Sequence, residues 1–553
     1  GLEENKIRKI SKNHLSSVIN SPLIHLNLSN NIIDYIEPNG LKQLSSLKIL
    51  ELHNNQISRI DQGTFDGIPN LIHLDLIHNN LEVLTSKSFT NLNTLITLRL
   101  HSQDTPMKYI YYDAFYNING NLTNLWISDN ELPFFPQQVL SEQEYLAMRE
   151  IYADNNRIIN ATEYTQDGFP LTMQHAYTNK KLAYKSWYTL RNLNKLYLGG
   201  NLIPAIDPLE FCNLTVLTVF SLRNNLLDDD VVPDNAFDCL TSLVQLDIAY
   251  NFFKYVPKAA KTIALQDFRI LNMAGNKLTA IPAGTFQTVN FTDLNLNNNK
   301  ILVIENTAFP STLVELNLQS NEFRFTHENP FTNLSSLRYL NLHNNDVDYI
   351  PEAAFDNCND LRELTLQGNN IGWLTKKMFE DSPLMYEFSI ANNDLAYIEN
   401  GTFDHFTNLY YFYFHNNKLT QLPSLGDFSD LGAYYFSASN NRITEIKSYT
   451  FANMNGYSLD LSHNQISVIY SDAFDNINYD HITLTDNPMK TLESRSFVGI
   501  TLANNLNMND MEISHVPASA FVNVNAKDLL LQNNQIEYIE ENAFDNVILT
   551  EDL

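Results

Sequence analysis

Apolar and polar positions alternate along this chain with one recurring unit. The stretch from Leu47 to Asn70, LKILELHNNQISRIDQGTFDGIPN, shows it clearly, and variants of it recur from end to end. Reduced to its constant positions the unit is LxxLxLxxNxL followed by IxxxxFxxL. Its asparagine falls at Asn31, Asn55 and Asn79, then through Asn130, Asn156, Asn201, Asn225 and Asn251 to Asn464, Asn487 and Asn534, mostly in steps of 22 to 26 residues. Gln103 and Met511 keep the spacing with a different residue. A fixed period of this length is the signature of a solenoid, in which each unit buries its apolar face only against its neighbours.

Each constant residue has a mechanical role. The LxL pair points alternate apolar side chains inward from a short strand, because strand side chains alternate between faces. Stacked units then form a parallel sheet. The asparagine follows the strand where the chain turns, and its amide both donates to and accepts from backbone groups that the turn leaves unpaired. Phenylalanines further on, such as Phe65, Phe89, Phe286, Phe355, Phe403, Phe474 and Phe544, fill the opposite side of the core. The expected architecture is therefore a curved α/β-type solenoid, a horseshoe with the parallel β-sheet on its concave face and loops or short helical turns on its convex face.

One interval is irregular. Asn156 and Asn201 lie 45 residues apart, which is either one repeat with a long insertion or two repeats of which one is degenerate. Asn179 divides the interval evenly, and Trp187 to Leu190 imitates the FxxL ending, which favours the second reading and makes about 22 repeats. No linker or low-complexity tract interrupts the pattern, so residues 1–553 read as a single array, with a partial repeat at 1–20 and an irregular or degenerate repeat at about 157–192.

With those residues laid out, the unit resembles the typical animal extracellular leucine-rich repeat of Toll-like receptors, Slit proteins and chaoptin. The resemblance covers nearly the whole chain; it is specific for the fold and far less so for the function. It implies a secreted or cell-surface protein that binds other proteins, in adhesion or matrix assembly first, with a Toll-like receptor ectodomain or a subunit of an extracellular fibre as the alternatives. Secreted members of the family usually carry cysteine-rich caps, and none occurs here. Bare terminal repeats would expose core residues. The expectation is a portion of a longer protein, or an array whose ends are covered by further copies in an oligomer or filament.

Charge narrows the partners. The chain has 63 acidic and 35 basic residues, a formal net charge of −28, which argues against nucleic acid and anionic membrane surfaces and favours a neutral or cationic protein; a second copy of the chain is the other candidate, as the resemblance to adhesion proteins implies. No stretch approaches the ~18 apolar residues of a membrane span, so this segment is not expected to insert directly into a membrane. No HExxH, GxSxG, P-loop or GxGxxG occurs, and the histidines lack ligand spacing, so neither catalysis nor a metal or other cofactor is expected. The run Asp228, Asp229, Asp230 lacks the spacing of a calcium loop and reads as a solvated acidic turn.

Of the three cysteines, Cys358 takes an apolar position of the repeat and reads as core, while Cys212 and Cys239 occupy near-equivalent places in neighbouring repeats, which allows a disulfide or two free thiols. Sequons stand at Asn27, Asn121, Asn160, Asn213, Asn290, Asn333 and Asn400, a number that chance alone allows in so asparagine-rich a chain. All except Asn27, which points to the sheet face, are candidate glycosylation sites.

The variable residues between the strand leucines point out of the sheet, and there one cluster stands apart. MYEFSIANN, LYYFYFHNN and AYYFSASNN in successive repeats align Tyr386, Tyr410 and Tyr434 in one column and Tyr411 and Tyr435 in another, beside Tyr413 and His415. Rigid aromatic columns give large contact area at small entropic cost and are frequent binding hot spots; the same pairs also stabilise a sheet by themselves. A thinner cluster comprises Trp126, Tyr152 and Tyr197. The segment from Asn160 to Tyr188, with Tyr164, Phe169, His175 and Tyr177, is a further candidate as a contacting loop, or else a packed degenerate repeat.

Overall fold

The structure is a computed structural model of the 553-residue chain. It describes residues 1–15, 22–111, 113–116, 118, 121–135, 147–159, 190–209, 211–327, 329–407, 409–423, 433–490 and 492–551. They form two compact units, residues 1–277 with 288–290 and residues 278–287 with 291–553.

Each unit is a parallel β-solenoid with little helix. In the first, three-residue strands follow one another in register from His25–Asn27 and Ile49–Glu51 to Gln245–Asp247 and Ile270–Asn272. In the second they run from Asp293–Asn295 and Glu315–Asn317 to Asn505–Asn507 and Asp528–Leu530. The middle residue of each strand is buried and its neighbours face outward, as alternation requires. Leu50, Leu74 and Leu364 are fully enclosed.

The asparagines form the expected ladder. Asn55 donates from Nδ2 to the carbonyls of Leu28 and Leu52, both at 3.0 Å, and accepts the Ile33 N–H at 2.9 Å. Gln103 does the same with its longer amide, reaching Leu76 O at 2.8 Å and accepting Leu81 N–H at 3.2 Å. The residue just before the ladder position holds a left-handed backbone, for example Asn54 at φ 53°, Asn392 at 53° and Gly368 at 70°. Asparagine and glycine tolerate that conformation, which accounts for the recurrent Asn-Asn pairs.

Two expectations are corrected. Strand Glu150–Tyr152 pairs directly with Lys195–Tyr197, and Asn201 donates to Ala153 O at 3.1 Å while accepting the Ile158 N–H at 3.1 Å. The two strands satisfy one another's backbone groups, so no third strand fits between them. The main sheet therefore has one strand fewer than the two-repeat reading requires; residues 160–189 of the 45-residue step, including Asn160, Tyr164, Phe169, His175, Tyr177 and Asn179, lie outside the described residues.

The second correction concerns the side away from the main sheet. Through most of both units it is turns and isolated two-stranded ladders, such as Val83–Leu84 with Tyr109–Ile110 and Trp373–Leu374 with Tyr397–Ile398, with a short helix, Lys258–Lys261, and a 3-10 turn, Lys376–Phe379, among the described residues. Beyond residue 450 wider sheets form. Phe451–Ala452, Phe474–Asp475, Phe497–Val498, Phe521–Val522 and Phe544–Asp545 form a 5-stranded parallel sheet, and Asn478–Tyr479, Thr501–Leu502, Asn525–Ala526 and Ile548–Leu549 a 4-stranded one. The corner between them is a left-handed residue in each repeat, Asn453, Asn476, Gly499, Asn523 or Asn546. A single such residue turns the chain sharply enough to start a second ladder at once. The phenylalanine rings stack behind it, Phe474 on Phe497 at 4.9 Å and Phe497 on Phe521 at 5.2 Å.

Candidate functional site

The tyrosine columns lie on the outward side of the main sheet of the second unit. Strands Glu387–Ser389, Tyr411–Tyr413 and Tyr435–Ser437 pair in register, which sets Tyr411 beside Tyr435 and Phe388, Phe412 and Phe436 in one inward row. Here the buried leucine is replaced by phenylalanine in three successive repeats. Phe412 packs on Phe414 at 4.3 Å and on Phe403 at 4.9 Å, so the sheet is braced by aromatic rings from within and carries them outside.

Outside, Tyr386 stacks on Tyr410 at 5.2 Å with 16° between planes, and Tyr410 on Tyr434 at 4.6 Å and 14°. Tyr411 stacks on Tyr435 at 5.2 Å and 9°. Tyr413 adjoins Tyr411, and His415 meets Tyr413 edge-on at 6.0 Å. All seven are half-buried by one another. The structure extends the cluster by two residues. Tyr457 stacks on Tyr434 at 5.8 Å, and His481 packs edge-on against Tyr457 at 5.5 Å. Tyr457 stands seven residues before Asn464, as Tyr434 does before Asn441, so counting back from the ladder asparagine would have found it.

Where titration in the patch is shifted, burial favours the neutral form. Burial, then the Glu387 carboxylate, pushes the Tyr413 hydroxyl up to about 12, and burial also raises Tyr386, Tyr410 and Tyr435. His415 is shifted the other way, its charged form disfavoured by burial against the opposing pull of Asp460. The result is a flat apolar surface with hydroxyl handles on a rigid sheet, suited to binding rather than bond-breaking.

The column of Tyr411 and Tyr435 continues in register through Glu387, Glu363, Tyr339, Glu315 and Asp293. All stand six residues before their ladder asparagines. A search for aromatic residues alone passes them over.

In the first unit Trp126, Tyr152 and Tyr197 are paired in register and stacked at 5.2 and 4.6 Å. Arg99 caps the column, its guanidinium 4.9 Å from the Trp126 ring. The Tyr152 hydroxyl donates to Glu150 at 2.8 Å, and Lys195 pairs with Glu150 at 2.7 Å. These partners are all internal, which fits a sheet-stabilising role.

The other candidates fall as follows. Cys212 and Cys239 are disulfide-bonded, with Cα atoms 4.7 Å apart, and Cys358 is a buried free thiol. Asn121, Asn290, Asn333 and Asn400 are exposed, Asn213 is half-buried, and Asn160 lies outside the described residues. Asn27 lies on a strand and accepts from the Ser29 N–H and hydroxyl. Asp229 accepts the backbone N–H groups of Lys254 and Tyr255, so the acidic run anchors a turn. Among the described residues no three His, Cys, Asp or Glu side chains are grouped to hold a metal ion, and no helix is long and apolar enough to cross a membrane.

The chain was compared with known proteins. A leucine-rich-repeat model matches residues 1–57, 45–104, 188–253 and 311–371, and a BspA-type leucine-rich-repeat model matches 427–551, the part with the additional sheets. Podocan-like protein 1 of Mus musculus is 24% identical over 383 residues, 57% of this chain and 60% of that protein. Keratocan of Gallus gallus is 33% identical over 134 residues, 24% of this chain and 37% of that protein. The chain thus spans well under two thirds of the length of these curated relatives. Among solved structures, a leucine-rich-repeat protein of Leptospira interrogans superposes with a TM-score of 0.55 at 23% identity, covering 83% of this chain and 95% of that one. A chain of the Drosophila Toll–Spatzle complex gives 0.56 at 18%, covering 91% and 76%. At such identities the structures speak for the fold alone. The repeated unit, the asparagine ladder and the two matching models agree, and the chain belongs to the leucine-rich-repeat family.

Proposed function

We propose that this chain is an extracellular protein-binding module of cell adhesion or matrix assembly, and that the tyrosine surface of the second unit is its contact face. The stacked, half-buried tyrosines on the outward side of the sheet carry this reading: among the described residues, no partner beyond the cluster explains two parallel columns of them. Rigid tyrosines lose little side-chain freedom on binding, which is why such patches act as anchors. The Cys212–Cys239 bond supports an oxidising, extracellular compartment. The chain of the Toll–Spatzle complex shows that a solenoid of this fold takes a protein partner.

The test compares the wild type with a Tyr386→Ser, Tyr411→Ser, Tyr435→Ser variant in two assays. Sedimentation velocity across a concentration series reads self-association, and retention on matrix laid down by cultured animal cells reads binding to another protein. Loss of either activity in the variant, with the variant folded, supports the reading. Equal behaviour of the two proteins in both assays overturns it.

A further inference from the structure

The tyrosine columns of the second unit are continuous with a row of carboxylates that the chain leaves without counter-charges. In register order across the strands, the outward positions are Asp293, Glu315, Tyr339, Glu363, Glu387, Tyr411 and Tyr435. Among the described residues Glu315, Glu363 and Glu387 make no ion pair. Arg338 and Arg362, which directly precede strands Tyr339–Asn341 and Glu363–Thr365, are both turned onto Asp360, at 2.6 and 3.0 Å. The equivalent column of the first unit behaves differently: its carboxylate, Glu150, sits in register with Lys195 and is paired to it at 2.7 Å. One unit neutralises this column and the other does not.

The surroundings make these charges costly in the free protein. Burial and then the Asp293 charge raise the Glu315 carboxyl, burial and then Glu387 and Glu315 raise Glu363, and burial raises Glu387. Between Glu315 and Glu363 lies a recess of about 320 Å³ whose lining includes Tyr339, Asn317, Asn341 and Thr365. Tyr339 is 37% exposed there. The two carboxylates are two strand spacings apart, about 10 Å. That is too far for one metal ion, whose oxygen ligands sit at about 2.3–2.6 Å. A row of acids at strand spacing, flanked by aromatic faces, matches a row of cations carried on a chain; carboxylates hold a guanidinium by charge-assisted hydrogen bonds and tyrosine faces attract it as a cation.

From this charge complementarity we infer that the sheet face from Glu315 to Tyr435 is the seat of a basic segment of a different protein, bearing arginine or lysine side chains and lying across the strands. The inference rests on the tyrosine surface being the contact face and adds the chemistry of the partner. A second copy of this chain, at −28, is a poor occupant because the two would repel.

A fluorescently labelled octa-arginine peptide serves as the probe, with a neutral glycine–serine octapeptide as its control, read by anisotropy at two salt concentrations. The wild type binds octa-arginine saturably, more weakly at high salt, and does not bind the neutral peptide. The variant Glu315→Gln, Glu363→Gln, Glu387→Gln loses at least about tenfold in affinity. These changes remove no ion pair, so the fold is retained, which hydrogen exchange verifies. A charge-matched variant, Asp104→Asn, Asp267→Asn, Glu352→Gln, changes side chains that are 59%, 81% and 60% exposed elsewhere, and loses no more than about twofold. Equal losses in the two variants mean a diffuse net-charge effect and overturn the inference, as does the absence of saturable binding. The matrix-retention assay separates this failure from that of the broader reading. If the tyrosine variant loses retention and the glutamine variant does not, the contact face stands and the basic partner falls; if neither loses it and the tyrosine variant self-associates as the wild type does, both fall.

Discussion

Replacing Asn369 by leucine keeps the number and branching of the side-chain heavy atoms and removes one rung of the ladder. Asn369 is buried, donates to Leu342 O at 2.9 Å, Leu366 O at 2.8 Å and Gln367 O at 3.4 Å, and accepts the Val347 N–H at 3.0 Å. Each of those carbonyls keeps a second donor: Asn345 on Leu342, Asn393 on Leu366 and the Asn344 N–H on Gln367. The Val347 N–H alone is orphaned. An unsatisfied buried donor costs about 1–3 kcal/mol, and each lost bond to a carbonyl that stays partnered about 0.5–1.5 kcal/mol. Taking the low end of each range gives about 3 kcal/mol, borne by the repeats that meet at this rung. Hydrogen–deuterium exchange on peptides spanning 342–372 should then show protection reduced by about a hundredfold, since a tenfold change corresponds to about 1.4 kcal/mol, with distant repeats unaffected. Asn369→Gln should recover most of the protection, because Gln103 already performs the same task in this chain. Unchanged protection in the leucine variant, or a glutamine variant as unprotected as leucine, would refute the reasoning.

Three other outcomes are expected. Changing Cys212 and Cys239 both to alanine opens a loop of 27 residues and should cost about 3–4 kcal/mol, seen as faster exchange across 212–240 and a lower urea midpoint for the first unit. Burial raises the Asp154 carboxyl from its ordinary 3.8 to about 6, against the opposing hydrogen bond from the Gly199 N–H at 2.6 Å. Between those two pH values the folded chain keeps a proton that the unfolded chain releases, so this group favours folding at low pH and that contribution is lost as pH rises through about 6. Asp154→Asn should therefore stabilise the protein relative to wild type at pH 7.5 and not at pH 4, by urea melts at the two values; a gain of the same size at both would contradict it. Finally, burial pushes the Cys358 thiol, bonded to Phe331 O at 3.0 Å, up to about 12, so iodoacetamide at pH 8 should label it only in denaturant, and labelling of the folded chain would count against its burial.

The solenoid was legible because its period is written in residues that cannot easily be exchanged. The strand leucines and the ladder asparagine are fixed by burial and by backbone hydrogen bonding, so their spacing survives wherever the outward residues vary. The sheet behind Phe474 and Phe497 was not, because it depends on where one left-handed residue falls after the phenylalanine; Asn476 or Gly499 at that point makes a corner, and the same residue types elsewhere make ordinary turns. The step between Asn156 and Asn201 is ambiguous in sequence for a related reason. Asn179 and Leu190 imitate the unit, but only strand pairing shows that Ile151 and Leu196 are direct neighbours. At the candidate site the tyrosine columns stood out by composition, whereas Tyr457 sat in a differently spelled repeat and Glu315, Glu363 and Glu387 in an otherwise ordinary acidic background. Reading outward positions by their distance from the ladder asparagine, rather than by residue type, places Tyr457 in the column of Tyr434, seven residues before the asparagine, and Glu315, Glu363 and Glu387 in that of Tyr411 and Tyr435, six before it.

The claim that the tyrosine surface is the contact face is tested most directly by placing a photo-crosslinking amino acid at Tyr411, with a second chain carrying it at Tyr116, which is 46% exposed and remote from the tyrosine columns in sequence. Each is irradiated on matrix laid down by cultured animal cells, with and without excess unlabelled chain. The account predicts a discrete crosslinked protein from position 411 that the unlabelled chain competes away, and little from position 116. Crosslinking at 411 that is no stronger or more specific than at 116 would contradict it.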